Sequence, residues 1–240
     1  MKNLILIFVG IISFHTVFAQ DLITDRPDQT ESAIALPKGY FQIESGSMIE
    51  MSGNFISFDI NSTLLRYGVA KNFELRMVST LNVFKIQSLE GSTWSIANLE
   101  AGFKYQFIDR AVKFACMGHL IFPSQSRIIG DPSWGVTHRL SLSHNITDKI
   151  GIGYNLGHDY IEEVHSLTYT VAAGFSLTEK LSFFSEVYGE FFDFDIWVLN
   201  YDNGITYLIK PNIQLDFSFG TGITDPFNFY SAGFSWRLPD

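Results

Sequence analysis

Tyr230-Ser231-Ala232-Gly233-Phe234-Ser235-Trp236-Arg237-Leu238 is the stretch whose reading decides the fold. Tyr230, Ala232, Phe234, Trp236 and Leu238 point one way and Ser231, Gly233, Ser235 and Arg237 the other, the period of two expected of a strand between an apolar and a polar medium. The edge of a soluble sheet can carry the same pattern, so the rest of the chain has to decide between them.

Composition narrows the choice. Hydrophobic residues make up 46% of the 240 positions and charged residues 17%, yet beyond the first twenty positions no apolar run reaches the length of a membrane-spanning helix, which needs ~20 residues. Helical spans are excluded. The 23 Phe, 10 Tyr and 19 Gly suit strands with amphipathic rings at two membrane interfaces and small residues where the wall is crowded. With 25 Asp and Glu against 16 Lys and Arg the chain is acidic, which argues against nucleic acid as a partner. The single Cys116 cannot form an internal disulfide and reads as an apolar filler on the outward side of a strand.

Residues 1 to 19 read as a secretion signal: Lys2 is the positive end, Leu4 to Phe14 the apolar core, and Val17-Phe18-Ala19 a cleavage site before Gln20. An all-β pattern behind such a signal points to the bacterial outer membrane, with outer-membrane lipid as a partner. Residues 20 to 39 do not alternate and carry Asp25, Arg26, Pro27, Asp28, Gln29, Thr30 and Glu31. This polar segment is read either as a flexible tail or as a piece that folds back into a lumen and narrows it, with Asp25, Arg26, Asp28 and Glu31 as the constricting charges.

From Tyr40 to Leu238 the alternation gives twelve strands: 40 to 50, 55 to 67, 73 to 84, 95 to 107, 112 to 121, 133 to 144, 150 to 158, 165 to 176, 181 to 192, 196 to 208, 212 to 220 and 229 to 238. The connections after even strands are short, as in Val69-Ala70-Lys71-Asn72-Phe73 and Leu177-Thr178-Glu179-Lys180-Leu181. Those after odd strands are longer and irregular, notably Phe122 to Pro132, Asp159 to Val164 and Gly222 to Asn228. Short periplasmic turns and longer external loops belong to a transmembrane barrel with both termini inside. The fold class is therefore all-β, a single 12-stranded antiparallel transmembrane β-barrel of outer-membrane type.

Volume assigns the faces. A barrel of about eight strands can be filled by its own side chains, and wider ones leave a cavity. Twelve strands with an apolar interior would enclose an unfilled hole, so Phe73, Leu75, Met77, Leu81, Phe103, Tyr105, Leu215 and Phe217 are expected to meet lipid and Glu74, Arg76, Glu100, Lys104, Gln214 and Asp216 to meet water. Closure also pairs every backbone group that a bilayer would leave unsatisfied.

The final strand reads polar, any, Gly, any, any, aromatic, any, apolar from Ser231 to Leu238, and so resembles the C-terminal strand that the barrel assembly machinery recognises in bacterial outer-membrane proteins. Many of those end on Phe or Trp; here the last apolar residue is Leu238. A wider resemblance rests on Thr24-Asp25-Arg26-Pro27-Asp28-Gln29-Thr30-Glu31, Pro37-Lys38-Gly39-Tyr40 with Glu44, Phe73-Glu74-Leu75-Arg76, Gly102-Phe103-Lys104-Tyr105, and Gly220-Thr221-Gly222 to Trp236. These stretches resemble the outer-membrane barrel family labelled as transporters of the meta-pathway of phenol degradation. The resemblance implies an outer-membrane barrel with a transport role; no residue in the chain points to phenol.

The inward charges divide by wall. Strands 3 to 6 contribute Arg76, Lys104, Lys113 and Arg139 against Glu74 and Glu100, while strands 9 to 11 contribute Glu186, Glu190, Asp202 and Asp216 without a base. A register summing to 178 in the third hairpin sets Glu74 opposite Lys104 as a cross-strand ion pair. Arg26 is the candidate cation for the acidic wall. Together these charges would set up a transverse field that orients small polar solutes; the alternative is solvated lumen charges without a selective role.

No catalytic arrangement emerges. Ser143 and His144 are strand neighbours and face opposite sides, His138 and His158 read as outward interface residues, and His119 faces inward beside no obvious carboxylate. No metal spacing or phosphate-binding loop is present, and no cofactor is implied. The expectation is a porin-like channel for passive passage of small solutes. One alternative is a channel for a hydrophobic compound, with Phe191, Phe192, Phe194, Trp197, Phe227 and Phe229 as its external aromatic site. Another is a closed barrel with an enzymatic, structural or adhesive role.

Overall fold

The computed structural model describes residues 22–86, 93–123 and 134–238. The secretion signal and most of the loop from Phe122 to Pro132 lie outside the described residues. Twelve strands follow one another: β1 Phe41–Ser52, β2 Phe55–Ala70, β3 Phe73–Ile86, β4 Thr93–Asp109, β5 Val112–Phe122, β6 Gly135–Thr147, β7 Ile150–Ile161, β8 Val164–Ser176, β9 Leu181–Phe192, β10 Ile196–Lys210, β11 Ile213–Gly222 and β12 Asn228–Arg237. Each pairs antiparallel with its sequence neighbours, and β1 closes on β12 from Gln42 opposite Arg237 to Met51 opposite Asn228. The result is a closed 12-stranded barrel, the fold that the alternation predicts.

Most strands run a few residues beyond their sequence-based limits, because the ladders zip down to tight turns. Lys71 and Asn72 alone join β2 to β3, with Asn72 at φ +63°. One connection expected to be long is not. Strands β7 and β8 are joined by Glu162 and Glu163, at φ +53° and +67°, the left-handed pair of a type I′ hairpin. The sequence hides this turn because neither residue is Gly or Asn.

Facing follows the volume argument. Leu75, Phe103, Leu156 and Phe217 are exposed on the outside, whereas Gln42, Glu44, Arg66, Glu74 and Lys104 are completely buried inside. Strand β5 departs from the pattern: it turns Ala115, Met117 and Ile121 inward, all buried, and Cys116 outward.

The interior is occupied. Residues 22–38 precede β1 and turn into the barrel, where Leu22, Ala33, Ala35 and Leu36 are buried. The turn is fixed at the barrel end where β1 begins and β12 ends: Gly39 N–H donates to Gly68 O at 2.8 Å, and a Cβ on Gly68 would lie 1.9 Å from Pro37 O. Only glycine lets the segment lie this close to the wall.

Candidate functional site

Residues Ile23 to Leu36 cross the lumen and exchange hydrogen bonds with side chains from strands around the barrel. The wall supplies the acceptors that this irregular backbone lacks. Asp25 and Arg26 N–H donate to Glu44 Oε2 at 2.8 and 3.0 Å, Gln29 N–H to Glu186 at 2.7 Å, and Glu31 N–H to Asn155 Oδ1 at 2.7 Å. On the way back, Ala35 N–H donates to Gln106 at 3.1 Å and Leu36 N–H to Glu74 at 2.6 Å.

The charges are tied more tightly still. Register places Arg66 of β2 directly opposite Arg76 of β3, and Glu74 opposite Lys104 of β4. Three buried cations thus share one patch of wall, an arrangement that needs anions within contact. Asp25 supplies the central one: its carboxylate lies 2.6 Å from Arg76, 2.8 Å from Lys104 Nζ and 3.5 Å from Arg66. Arg66 also pairs with Glu44 at 2.8 Å and Glu74 at 3.0 Å, and donates to the carbonyls of Ile23 and Ile34. Arg76 pairs with Glu31 at 2.6 Å. The expected register between Glu74 and Lys104 is present, but the Lys104 ammonium goes to Asp25 and Glu74 goes to the two arginines. Burial alone would raise the Asp25 carboxyl, yet the Arg66, Lys104 and Arg76 charges together hold it well below the usual range.

Across the lumen, Arg26 donates to Asp216 Oδ1 at 2.9 Å and to Ser231 Oγ at 3.0 Å. Its guanidinium lies in a notch made by Gly46 and Gly233, register partners at the β1–β12 closure. A Cβ on either would fall 2.4 to 2.6 Å from Arg26 Nη2. Glu186 of β9 stands opposite Asp202 of β10 and accepts from Thr30 Oγ1 at 2.5 Å, while both Asp202 oxygens are buried with no hydrogen-bond donor among the described residues. Asp28 joins this acidic patch. Burial, and then the charges of Glu186 and Asp202, push its carboxyl well above the usual range.

The remaining charges lie farther from the terminal end. Glu100 Oε2 is 3.6 Å from His119 Nδ1, so His119 does have a carboxylate beside it, and Arg76 Nε donates to His119 Nε2 at 3.0 Å. Arg139 pairs with Asp159. Asp159 lies one residue beyond the sequence-based limit of β7, where no alternation marks it as inward. Arg66 sits in phase with Gly68 on the polar face of β2, a position legible in the sequence. Glu190 is half-buried on the lumen face of β9.

Of the aromatic residues proposed for a hydrophobic site, Trp197 stacks on Tyr169 on the outer face at a ring separation of 5.1 Å, with Phe191 tilted against it at 5.9 Å. Phe229 turns inward, buried over Gly220 and stacked with Phe227. Two recesses, of about 370 and 570 Å3, lie between the segment and the wall; the first includes Leu22, Asp28 and Phe184, the second Pro37, Lys71 and Lys113.

A family profile described as "Putative MetA-pathway of phenol degradation" matches residues 24–238. The chain belongs to this family. Its match begins at Thr24, so all of the lodged segment but Ile23 falls within it along with all twelve strands. No curated protein matches the chain in sequence. Among solved structures it is similar to an outer-membrane channel from Pseudomonas putida F1, at 11% identity and a TM-score of 0.65 over 86% of this chain and 98% of that one. The KdgM porin in complex with disordered oligogalacturonate aligns at 12% identity, TM-score 0.61, over 82% and 99%. The NanC porin aligns at 12% identity, TM-score 0.60, over 82% and 100%. At these identities the likeness establishes the fold.

Proposed function

We propose that the protein is a bacterial outer-membrane channel for passive passage of small hydrophilic solutes, narrowed from within by residues Ile23 to Leu36. The observation that carries this reading is Asp25, a residue of the segment, set among Arg66, Arg76 and Lys104 of the wall. A free tail would not be built into the buried charge balance of three strands. The segment therefore determines how much of the lumen is open, and the two recesses beside it are the space it leaves at the end where β1 begins.

Solute preference follows from the charges left over. Arg66, Arg76 and Lys104 are engaged by Asp25, Glu31, Glu44 and Glu74, and Arg139 by Asp159. Glu50, Asp59, Glu100, Glu186, Glu190 and Asp202 are wall carboxylates without a comparable arginine or lysine contact among the described residues. The channel accordingly favours cations and neutral polar solutes. Planar-bilayer recording in a salt gradient tests this: discrete openings with a cation-selective reversal potential are expected. Silence from folded protein, or anion selectivity, contradicts it.

A further inference from the structure

We propose that His158 and His165 form a two-histidine site for a divalent transition metal of the copper or nickel type, on the outer face of the barrel at the end opposite the termini. The two residues flank the tight Glu162-Glu163 hairpin on β7 and β8, where His165 stands beside Tyr160 and His158 beside Leu167 in register. Both point away from the lumen, and His158 Nε2 lies 3.0 Å from His165 Nδ1. The rings lie in a row from His138, tilted against His158, through the stacked His158 and His165 to Phe194, with centroid separations of 5.0, 5.2 and 6.0 Å, and Tyr160 packs 4.6 Å from His165.

The spacing suits a chelate. With metal–nitrogen bonds of about 2.05 Å, nitrogens 3.0 Å apart subtend about 94° at the metal. That is the cis angle of tetragonal copper(II) or nickel(II); a tetrahedral zinc would set the nitrogens about 3.3 Å apart. Without metal, one imidazole N–H donates to the other ring. Moving that proton to the opposite nitrogen of its own ring frees both lone pairs, so binding releases no proton. Imidazole ligands prefer these metals over magnesium or calcium, which take oxygen. No three His, Cys, Asp or Glu among the described residues are placed to hold a metal together, so water fills the remaining positions and the ion stays exchangeable.

The test is copper(II) titration of the purified protein, produced without a histidine tag and followed by electron paramagnetic resonance. One copper per chain is expected, with hyperfine coupling to two imidazole nitrogens and no competition from magnesium. His158→Ala and His165→Ala should each weaken binding tenfold or more, while His144→Ala, near the terminal end of β6, leaves it unchanged. Absence of a stoichiometric site in the wild type, a coupling pattern without two nitrogens, or undiminished affinity in both variants overturns the proposal.

Discussion

Asp25 and Lys104 meet at 2.8 Å although 79 positions separate them, and their contact joins the segment ahead of the first strand to the middle of β4. Both are buried. Among the described residues Lys104 has no other carboxylate within ion-pair distance, whereas Arg66 and Arg76 share Asp25 with Glu44, Glu74 and Glu31. The contact is therefore where the segment is most exposed to disruption.

Asp25→Asn should release the segment. Removing one partner of a buried ion pair costs about 3–5 kcal/mol, and here the change strands Lys104 while weakening Arg66 and Arg76. The barrel itself is held by twelve ladders and persists. Limited proteolysis checks this: cleavage within residues 22–36 should rise while the barrel fragment stays intact, and protection equal to wild type contradicts it.

Falling and rising pH should loosen the segment through different residues. Asp25 has a lowered carboxyl, so its hold is complete above the ordinary value of 3.8 and is lost as pH falls through the lowered one. Asp28 has a raised carboxyl, so its contribution is complete below 3.8 and is lost as pH rises through the raised one. Asp28→Asn should abolish the loosening on raising pH and leave the acid response. Amide exchange of residues 22–36 against pH reads both, and an unchanged profile in the variant contradicts the assignment.

Gly46→Ala and Gly233→Ala should act on Arg26. Each added Cβ meets the guanidinium at 2.4 to 2.6 Å and also a wall carbonyl, Ala232 O at 2.8 Å or Ser45 O at 2.6 Å. Overpacking of this kind costs about 1–3 kcal/mol. The expected result is a lower thermal midpoint together with faster exchange at residues 24–28; Asp216→Asn should reproduce the second effect without the first.

Glu186→Lys with Glu190→Lys should shift the reversal potential in a salt gradient toward anions. An unchanged potential would remove the acidic wall from any account of selectivity.

The barrel was legible because period-two alternation states both the strands and their faces, and because Tyr230 to Leu238 does so almost without exception. Residues 20 to 39 carry no such period. Their place depends on Asp25 meeting residues from β2, β3 and β4 at once, and such a convergence leaves no local pattern. Nothing in the sequence singles out Gly46 and Gly233, since a notch is defined only by what lies in it. Asp159 and the Glu162-Glu163 turn are hidden for a related reason: three acidic residues within five positions read as a loop, while the ladder between β7 and β8 overrides that preference. The inward Ala115, Met117 and Ile121 show where polarity stops marking the lumen.

The measurement that tests the central claim most directly is single-channel conductance of the wild type beside the double variant Asp25→Asn/Arg26→Gln, which keeps chain length while cutting the segment's ties to both walls. The account predicts small openings for the wild type and a severalfold larger unitary conductance for the folded variant. Equal conductances from two folded barrels would show that residues 22–38 do not set the width of the path.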